Sequence, residues 1–211
     1  MYESERQNLV EILRKKGIVS EKVLNAILKV ERHLFIPEAI RIHAYKDTAL
    51  PIGYEQTISQ PYTVAFMTQA LNLSTGEKVL EVGTGSGYQA AILAEMGMKV
   101  FSVERNFELH NRTQKLFDKM GIRAVCRCAD GTLGWQEFAP YNAIIVTAGS
   151  PVLPKTLFSQ LTIGGRMIIP IGERRNQELK LFTKISEEDF QVKSFPDFSF
   201  VPLIGKEGWK E

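Results

Sequence analysis

Two cysteines and three histidines are a small supply for a disulfide framework or a metal site in a chain of 211 residues. Cys126 and Cys128 stand two apart, so on a strand they would share a face, where small half-apolar side chains serve packing. His33, His43 and His110 lack zinc-ligand spacing, and no metal is expected. No apolar run approaches the roughly 18 residues of a membrane span. The opening Met1-Tyr2-Glu3-Ser4-Glu5 also lacks the basic and apolar regions of a signal peptide, so the reading is a soluble, cytoplasmic protein without a membrane partner. Charge of one sign is missing too: 26 Lys and Arg stand against 24 Asp and Glu, scattered, and the net +2 supplies no broad attraction to nucleic acid. The short basic group Arg14-Lys15-Lys16 falls at an expected helix end, where cations complement the dipole. Neither an internal repeat nor a low-complexity tract is present.

With 44% hydrophobic and 24% charged residues, the chain suits one α/β domain with an N-terminal extension. Its most informative stretch is Val79-Leu80-Glu81-Val82-Gly83-Thr84-Gly85-Ser86-Gly87, an apolar strand with an acid near its end followed by glycines at alternate positions. Helix-forming Tyr88-Gln89-Ala90-Ala91-Ile92-Leu93-Ala94 follows. Glycine is needed where a backbone turns sharply off a buried strand and then lies against a ligand, because a Cβ would strike the turn or the ligand. The spacing is GxGxG, whereas the dinucleotide fingerprint is GxGxxG. Position 88 is Tyr, and that register favours S-adenosylmethionine over a nicotinamide cofactor.

Further on, Lys99-Val100-Phe101-Ser102-Val103 reads as the next strand, closed by Glu104 and followed by Arg105. A carboxylate there can accept both ribose hydroxyls, or it can serve as the capping acid of the amphipathic helix Phe107 to Met120. A third strand, Val125 to Asp130 with Gly131, again ends in an acid. Three such strand ends in order make one ligand crevice.

The periodicities predict helices at 3–16, 21–32 with Ser20 as N-cap, a short one opened by Pro37, then 61–73. Residues 44–60 show neither period and read as a long functional loop. Where Ser59-Gln60-Pro61 opens a helix, backbone amides and a hydroxyl converge. Such a place suits a carboxylate, or else Ser59 only caps the helix. From Lys78 strands at 78–82, 99–103, 122–128, 141–147 and 166–171 alternate with helices at 87–96, 107–120 and 154–161, which implies a mainly parallel sheet covered on both faces. Strands at 179–185 and 190–195 then make an antiparallel edge. The expected organisation is one doubly wound, Rossmann-like α/β domain, with N-terminal helices and a substrate loop at 1–75, a cofactor core at 76–172 and a substrate-facing segment at 173–211.

The chain resembles the protein-L-isoaspartate (D-aspartate) O-methyltransferases along most of its length. The matching stretches are Arg32-His33-Leu34-Phe35-Ile36-Pro37, Ala44-Tyr45 with Asp47, Leu50-Pro51-Ile52-Gly53, Gln56-Thr57-Ile58-Ser59-Gln60-Pro61-Tyr62, the glycine loop, Asp130-Gly131-Thr132-Leu133-Gly134, Ile144-Ile145-Val146-Thr147-Ala148, Gln160-Leu161 with Gly164-Gly165-Arg166, and Phe200-Val201-Pro202-Leu203. The resemblance implies methyl transfer from S-adenosyl-L-methionine to the α-carboxylate of L-isoaspartyl, and by extension D-aspartyl, residues in damaged peptides and proteins. The ester then closes to a succinimide, whose hydrolysis returns part of it as aspartate. It also implies that Thr57, Ile58 and Ser59 lie where substrate and cofactor meet, with Ser59 the active-site residue and Ile52 and Gln56 beside the substrate. Val201, Pro202 and Leu203 would run along the peptide. Glu81, Gly83, Thr84, Gly85, Ser86, Gly87, Glu104, Arg105, Asp130 and Gly131 fall on the cofactor side, and the last two strands of the sheet are arranged differently from most methyltransferases. Glu55, Asn142 and Gly149 depart from the family's commoner residues, Glu55 with a charge that would repel an anionic substrate unless it faces solvent.

A methyltransferase acting on a small molecule or on nucleic acid is the alternative reading, since it would share everything from Val79 to Asp130. The Asn-Pro-Pro-Tyr-like tetrad of an adenine methylase does not follow Val146, and no Pro-Cys pair is present.

Overall fold

A computed structural model describes residues 2–174 and 176–210. Helices α1 (Glu3–Lys15) and α2 (Glu21–Lys29) open the chain, followed by two 3₁₀ turns, Arg32–Phe35 and Glu38–His43. The apolar spacing read in the sequence becomes contact, with Leu9, Val10 and Leu13 of α1 and Val23, Leu24 and Ile27 of α2 buried in one cluster.

The stretch expected to be an irregular loop holds a small hairpin, β1 (Leu50–Gly53) and β2 (Gln56–Ile58). Gly53 pairs with Gln56, which leaves Tyr54 and Glu55 as a two-residue turn, with φ of 54° and 56°. Positive φ at both central residues gives the turn a twist that matches the strands, and Asn-Gly is the usual means. Tyr-Glu gives no such sequence signal, and strands of four and three residues are too short to show a period.

Helix α3 (Pro61–Ala70) leads into the core: β3 (Lys78–Val82), α4 (Tyr88–Glu95), β4 (Lys99–Glu104), α5 (Phe107–Met120), β5 (Ala124–Cys128), β6 (Tyr141–Val146), α6 (Lys155–Ser159), β7 (Leu161–Glu173), β8 (Asn176–Lys184) and β9 (Phe190–Phe198). The sheet order is β5-β4-β3-β6-β7-β8-β9. Strands β3 to β7 are mutually parallel, and β8 and β9 add in sequence order as the antiparallel edge. The last helix is shorter and the seventh strand longer than expected. The register of β6 on β7 slips between Tyr141 and Ala143, so Gly164 and Gly165 lie inside a strand rather than in a turn before it.

In the central strands successive side chains enter opposite cores. Val79, Ala143 and Ile145 face the cluster beneath α1 to α4, and Leu80, Val82, Ile144 and Val146 face the one under α6. The two cysteines fare differently from expectation. At the edge in β5, Cys126 is half-buried against the core, with burial pushing its thiol up to about 12, while Cys128 is exposed. An edge strand covers only part of each face.

Gly87 ends the glycine loop at φ +87°, and a Cβ there would lie 2.5 Å from Phe117 Cε1 and 2.6 Å from Thr113 Cγ2. The glycine lets α5 pack beside the loop, so protein rather than ligand enforces it. Gly87→Ala is expected to lower the unfolding free energy of the cofactor-free protein by about 2 to 4 kcal/mol, from left-handed strain and overpacking together. Urea unfolding measures it.

Candidate active site

From β3 the chain winds outward through β4 and β5, then returns across the sheet to β6 and winds the other way. The crevice at the carboxyl ends of β3 and β6 is the switch point where open α/β sheets bind ligands. Thr147 fastens it. Its amide donates to Val82 O at 3.0 Å and its hydroxyl to Gly83 O at 2.7 Å.

Into this crevice opens a cleft of about 650 Å³, within the size range of small-molecule sites. Its lining brings together Gln56, Thr57, Ile58 and Ser59 from the hairpin side, Glu81, Gly83, Thr84, Gly85 and Ser86 from the glycine loop, Glu104, Arg105 and Gly131 from the next two strand ends, and Val201, Pro202 and Leu203. Three of the expected residues are not in that lining. Gly87 packs against α5; Ile52 is fully buried, close behind Gly85. Asp130 is turned toward the C-terminal segment, with Oδ1 accepting from the Thr132 amide and hydroxyl and Oδ2 from the Lys206 amide at 2.8 Å. Burial would raise its pKa, but those donors and the charge of Arg105 hold it below the usual carboxylate value.

Glu104 is buried and shapes the loop. Its Oε2 accepts from the Gly85 amide and its Oε1 from the Asn106 amide, each at 2.8 Å. Capping of α5 belongs instead to the Asn106 side chain, which accepts from the Leu109 amide. Each Glu104 oxygen keeps a lone pair, so the carboxylate can still receive hydroxyls.

Ser59 does not cap α3. Gln60 is the N-cap, without a side-chain bond, and the Tyr62 amide donates to Asp47 Oδ1 at 2.8 Å. Asp47 Oδ2 also receives Gln60 Nε2 and Lys16 Nζ. The carboxylate that the helix N-terminus was expected to attract is thus the chain's own Asp47. The Ser59 hydroxyl makes no hydrogen bond among the described residues and stands beside the cleft.

Glu81 is fully buried on the same face as Val79, with Ser102 Oγ donating to its Oε2 and Thr84 Oγ1 within 2.6 Å of Ser102 Oγ. Its Oε1 has no hydrogen-bond partner among the described residues. Burial pushes its pKa up to about 8, the charge of Glu104 adds to this, and the Ser102 hydrogen bond opposes it.

The sequence reading passed over Thr147, Ala148, Asn106, Phe107 and Arg174, all of which line the cleft. Topology could have found two of them, because the residues just past β6 must face those just past β3. Arg174 had no signal, since it arrives on the β7–β8 turn. The segment 201–203 is strapped down at Gly149, whose amide donates to Val201 O and whose carbonyl accepts from Leu203 N, both at 2.8 Å. A Cβ at Gly149 would come within 3.1 Å of Gln177. Asn142 Oδ1 accepts from the Lys78 amide at 2.9 Å, which a carboxylate would do equally. Glu55 sits exposed at the hairpin tip on the cleft rim.

A doubly wound sheet with a glycine loop, an acid at the next strand end and a cleft at the switch point defines a Rossmann-like, S-adenosylmethionine-dependent methyltransferase. The family model described as protein-L-isoaspartate (D-aspartate) O-methyltransferase matches residues 4–208. A protein-L-isoaspartate O-methyltransferase of Dictyoglomus thermophilum is 53% identical over 211 residues, covering 100% of this chain and 96% of the relative. One from Cytophaga hutchinsonii is 48% identical over 204 residues, 97% of this chain and 92% of the relative. Among solved structures, a protein-L-isoaspartate O-methyltransferase superposes with a TM-score of 0.86 at 32% identity, over 96% of this chain and 67% of that one. A Plasmodium falciparum protein described as a putative protein-L-isoaspartate O-methyltransferase, in complex with S-adenosyl-L-homocysteine, gives 0.82 at 27% identity, over 94% of this chain and 98% of that one. The chain belongs to the protein-L-isoaspartate (D-aspartate) O-methyltransferase family.

The buried Glu81 carboxyl has a measurable consequence without any ligand. Its folded pKa lies above its unfolded value, so between about pH 4.5 and pH 8 the folded state holds a proton that the unfolded state has lost. Its contribution to stability is full below that window, declines through it and is gone above about pH 8. Glu81→Gln should remove most of this decline, as read by urea unfolding at pH 5, 6.5 and 8.

Proposed function

We propose that the cleft holds S-adenosylmethionine on its glycine-loop side and an isoaspartyl peptide on its hairpin side, with Ser59 at the junction. The carrying observation is one cleft lined both by Ser59, whose hydroxyl makes no hydrogen bond among the described residues, and by the glycine loop. The lining suits the cofactor chemically. Glu55 and Glu104 border the space, and Glu104 retains acceptor capacity for a ribose diol. The bound cofactor supplies an electrophilic methyl group.

The chain's own residues then have a modest task. An α-carboxylate has an unperturbed pKa of about 3.3 to 3.7, so the nucleophile is ionised at neutral pH and no base is needed. Among the described residues no histidine or cysteine lines the cleft. Ser59 Oγ donates to the substrate carboxylate and orients it, Thr57 and Ile58 shape the junction, and Gln56 with Val201, Pro202 and Leu203 holds the peptide backbone. Arg105 and Gly131 border the cofactor half, with Asp130 acting from behind through Thr132 and Lys206. Positioning supplies the rate.

The reading extends to one working unit over 1–211, with the substrate loop, cofactor core and C-terminal strap as its three parts. Damaged cytoplasmic proteins are its substrates, and nucleic acid and membranes are not partners. Among the described residues no helix is long and apolar enough to cross a membrane, and no cluster of His, Cys, Asp and Glu could hold a metal ion.

Two matched peptides, one with L-isoaspartate and one with L-aspartate, test the assignment with labelled S-adenosylmethionine. Label should enter the first and hardly the second; equal labelling would sink the repair reading. Ser59→Ala should reduce kcat by about tenfold to a thousandfold, a range reaching below that for a lost oxyanion donor because neighbouring amides compensate. An unchanged kcat would remove the hydroxyl from the mechanism.

A further inference from the structure

Behind the hairpin, outside the cleft lining, lies a fully buried arginine. The Arg32 guanidinium is 0% exposed, and among the described residues no carboxylate touches it. Its Nε donates to Ala44 O at 2.9 Å and its Nη2 to Ser59 O at 2.8 Å, with Thr48 O at 3.5 Å from the same nitrogen. The flat face lies over the ring of Tyr88, 4.8 Å from the centroid. Tyr88 is the first residue of α4, immediately after the glycine loop, and it lines the cleft.

A buried cation without an ionic partner is expensive, and packing alone would be better served by an apolar side chain. Asp47, whose charge Arg32 feels, is held by the Tyr62 amide, Gln60 and Lys16. Burial lowers the Arg32 pKa to about 10, which leaves it charged at neutrality. Its planar fork therefore binds the main chain. One edge grips the carbonyls of residues 44 and 59, and its face rests on the residue that follows the glycine loop. Two halves of the site, far apart in sequence, meet on one rigid group. Among the described residues neither Nη1 nor the Tyr88 hydroxyl makes a hydrogen bond of ordinary geometry, and the guanidinium over the ring joins the two side chains.

We infer that Arg32 is a positioning residue for methyl transfer, fixing the Thr57–Ser59 segment relative to the glycine loop through the Ser59 carbonyl and the Tyr88 ring. The inference rests on the proposed placing of substrate and cofactor on the two sides of the cleft. It does not need the Ser59 hydroxyl, because the bond runs to the Ser59 backbone.

Arg32→Lys keeps the charge but cannot span the two carbonyls while lying flat on a ring. The expected signature is a kcat lowered about tenfold to a hundredfold per folded molecule, as for a displaced reacting group, with S-adenosylmethionine affinity by calorimetry changed less than about threefold. Tyr88→Leu keeps every Arg32 hydrogen bond and removes the platform, so it should show the same split, more weakly; Tyr88→Phe keeps the ring and should lose less kcat than Tyr88→Leu. A purely structural arginine would lower the melting temperature and leave kcat per folded molecule unchanged, which overturns the inference, as does a parallel loss of kcat and cofactor affinity. If Arg32→Lys does not fold, Tyr88→Leu and Tyr88→Phe decide by the same criteria. A silent Ser59→Ala with a slow Arg32→Lys would refute the role of the hydroxyl and uphold that of the arginine.

Discussion

Strand β3 is buried on both faces and paired on both sides, and the geometry of the site follows from that confinement. A central parallel strand cannot drift to the surface. Its chain must leave abruptly at Val82, at the point where β4 and β6 diverge in winding. Thr147 ties the exit to β6, Glu104 ties the following loop to β4, and Thr113 of α5 donates to Gly85 O at 2.7 Å. The glycine loop is therefore preset by protein contacts from three neighbours, which is what a cofactor site needs to bind without reorganising.

Charge is arranged around this frame in ways that folding alone would not favour. Glu81 is a carboxyl buried with an oxygen unpartnered, and Arg32 is a guanidinium buried without an acid. Each violates a rule of core composition, and each sits directly behind one side of the same cleft. The cleft walls carry Glu55 and Glu104 against Arg105 and Arg174, while the buried Glu81 keeps its proton at neutrality. With the two signs balanced, the proposed reading has the anionic substrate group received locally, at hydroxyls and amides near Ser59.

Two of the three departures from the family's commoner residues are absorbed by the fold. Asn142 offers the Lys78 amide the oxygen a carboxylate would offer, and Gly149 makes room for Gln177, whose Oε1 accepts from the Phe200 amide. Glu55 is different. It occupies a positive-φ turn position at the rim, exposed to water that screens its charge.

The sequence by itself determined the layers: alternating strands and helices from Lys78, buried strands wherever Val, Ile and Leu ran together, the glycine loop, and the acids that end β3 and β4. These are local properties, set by periodicity and by what a backbone can do without a Cβ. The antiparallel edge was legible for the same reason, although its strands proved longer than the apolar runs that announced them. What lay beyond reach was settled between segments far apart in sequence. The β1–β2 hairpin formed without turn residues that signal it: Leu50, Ile52 and Ile58 of its strands are buried in the core, and the exposed Tyr54 and Glu55 between them take positive φ. Ser59 was released from capping because Asp47, from an earlier turn, took the amide at the start of α3. Asp130 was drawn to Lys206, and the second half of the cleft wall came from residues 201–203 strapped at Gly149. A backbone amide or a buried charge takes whichever partner the packed chain brings nearest, and only the tertiary structure decides which one that is.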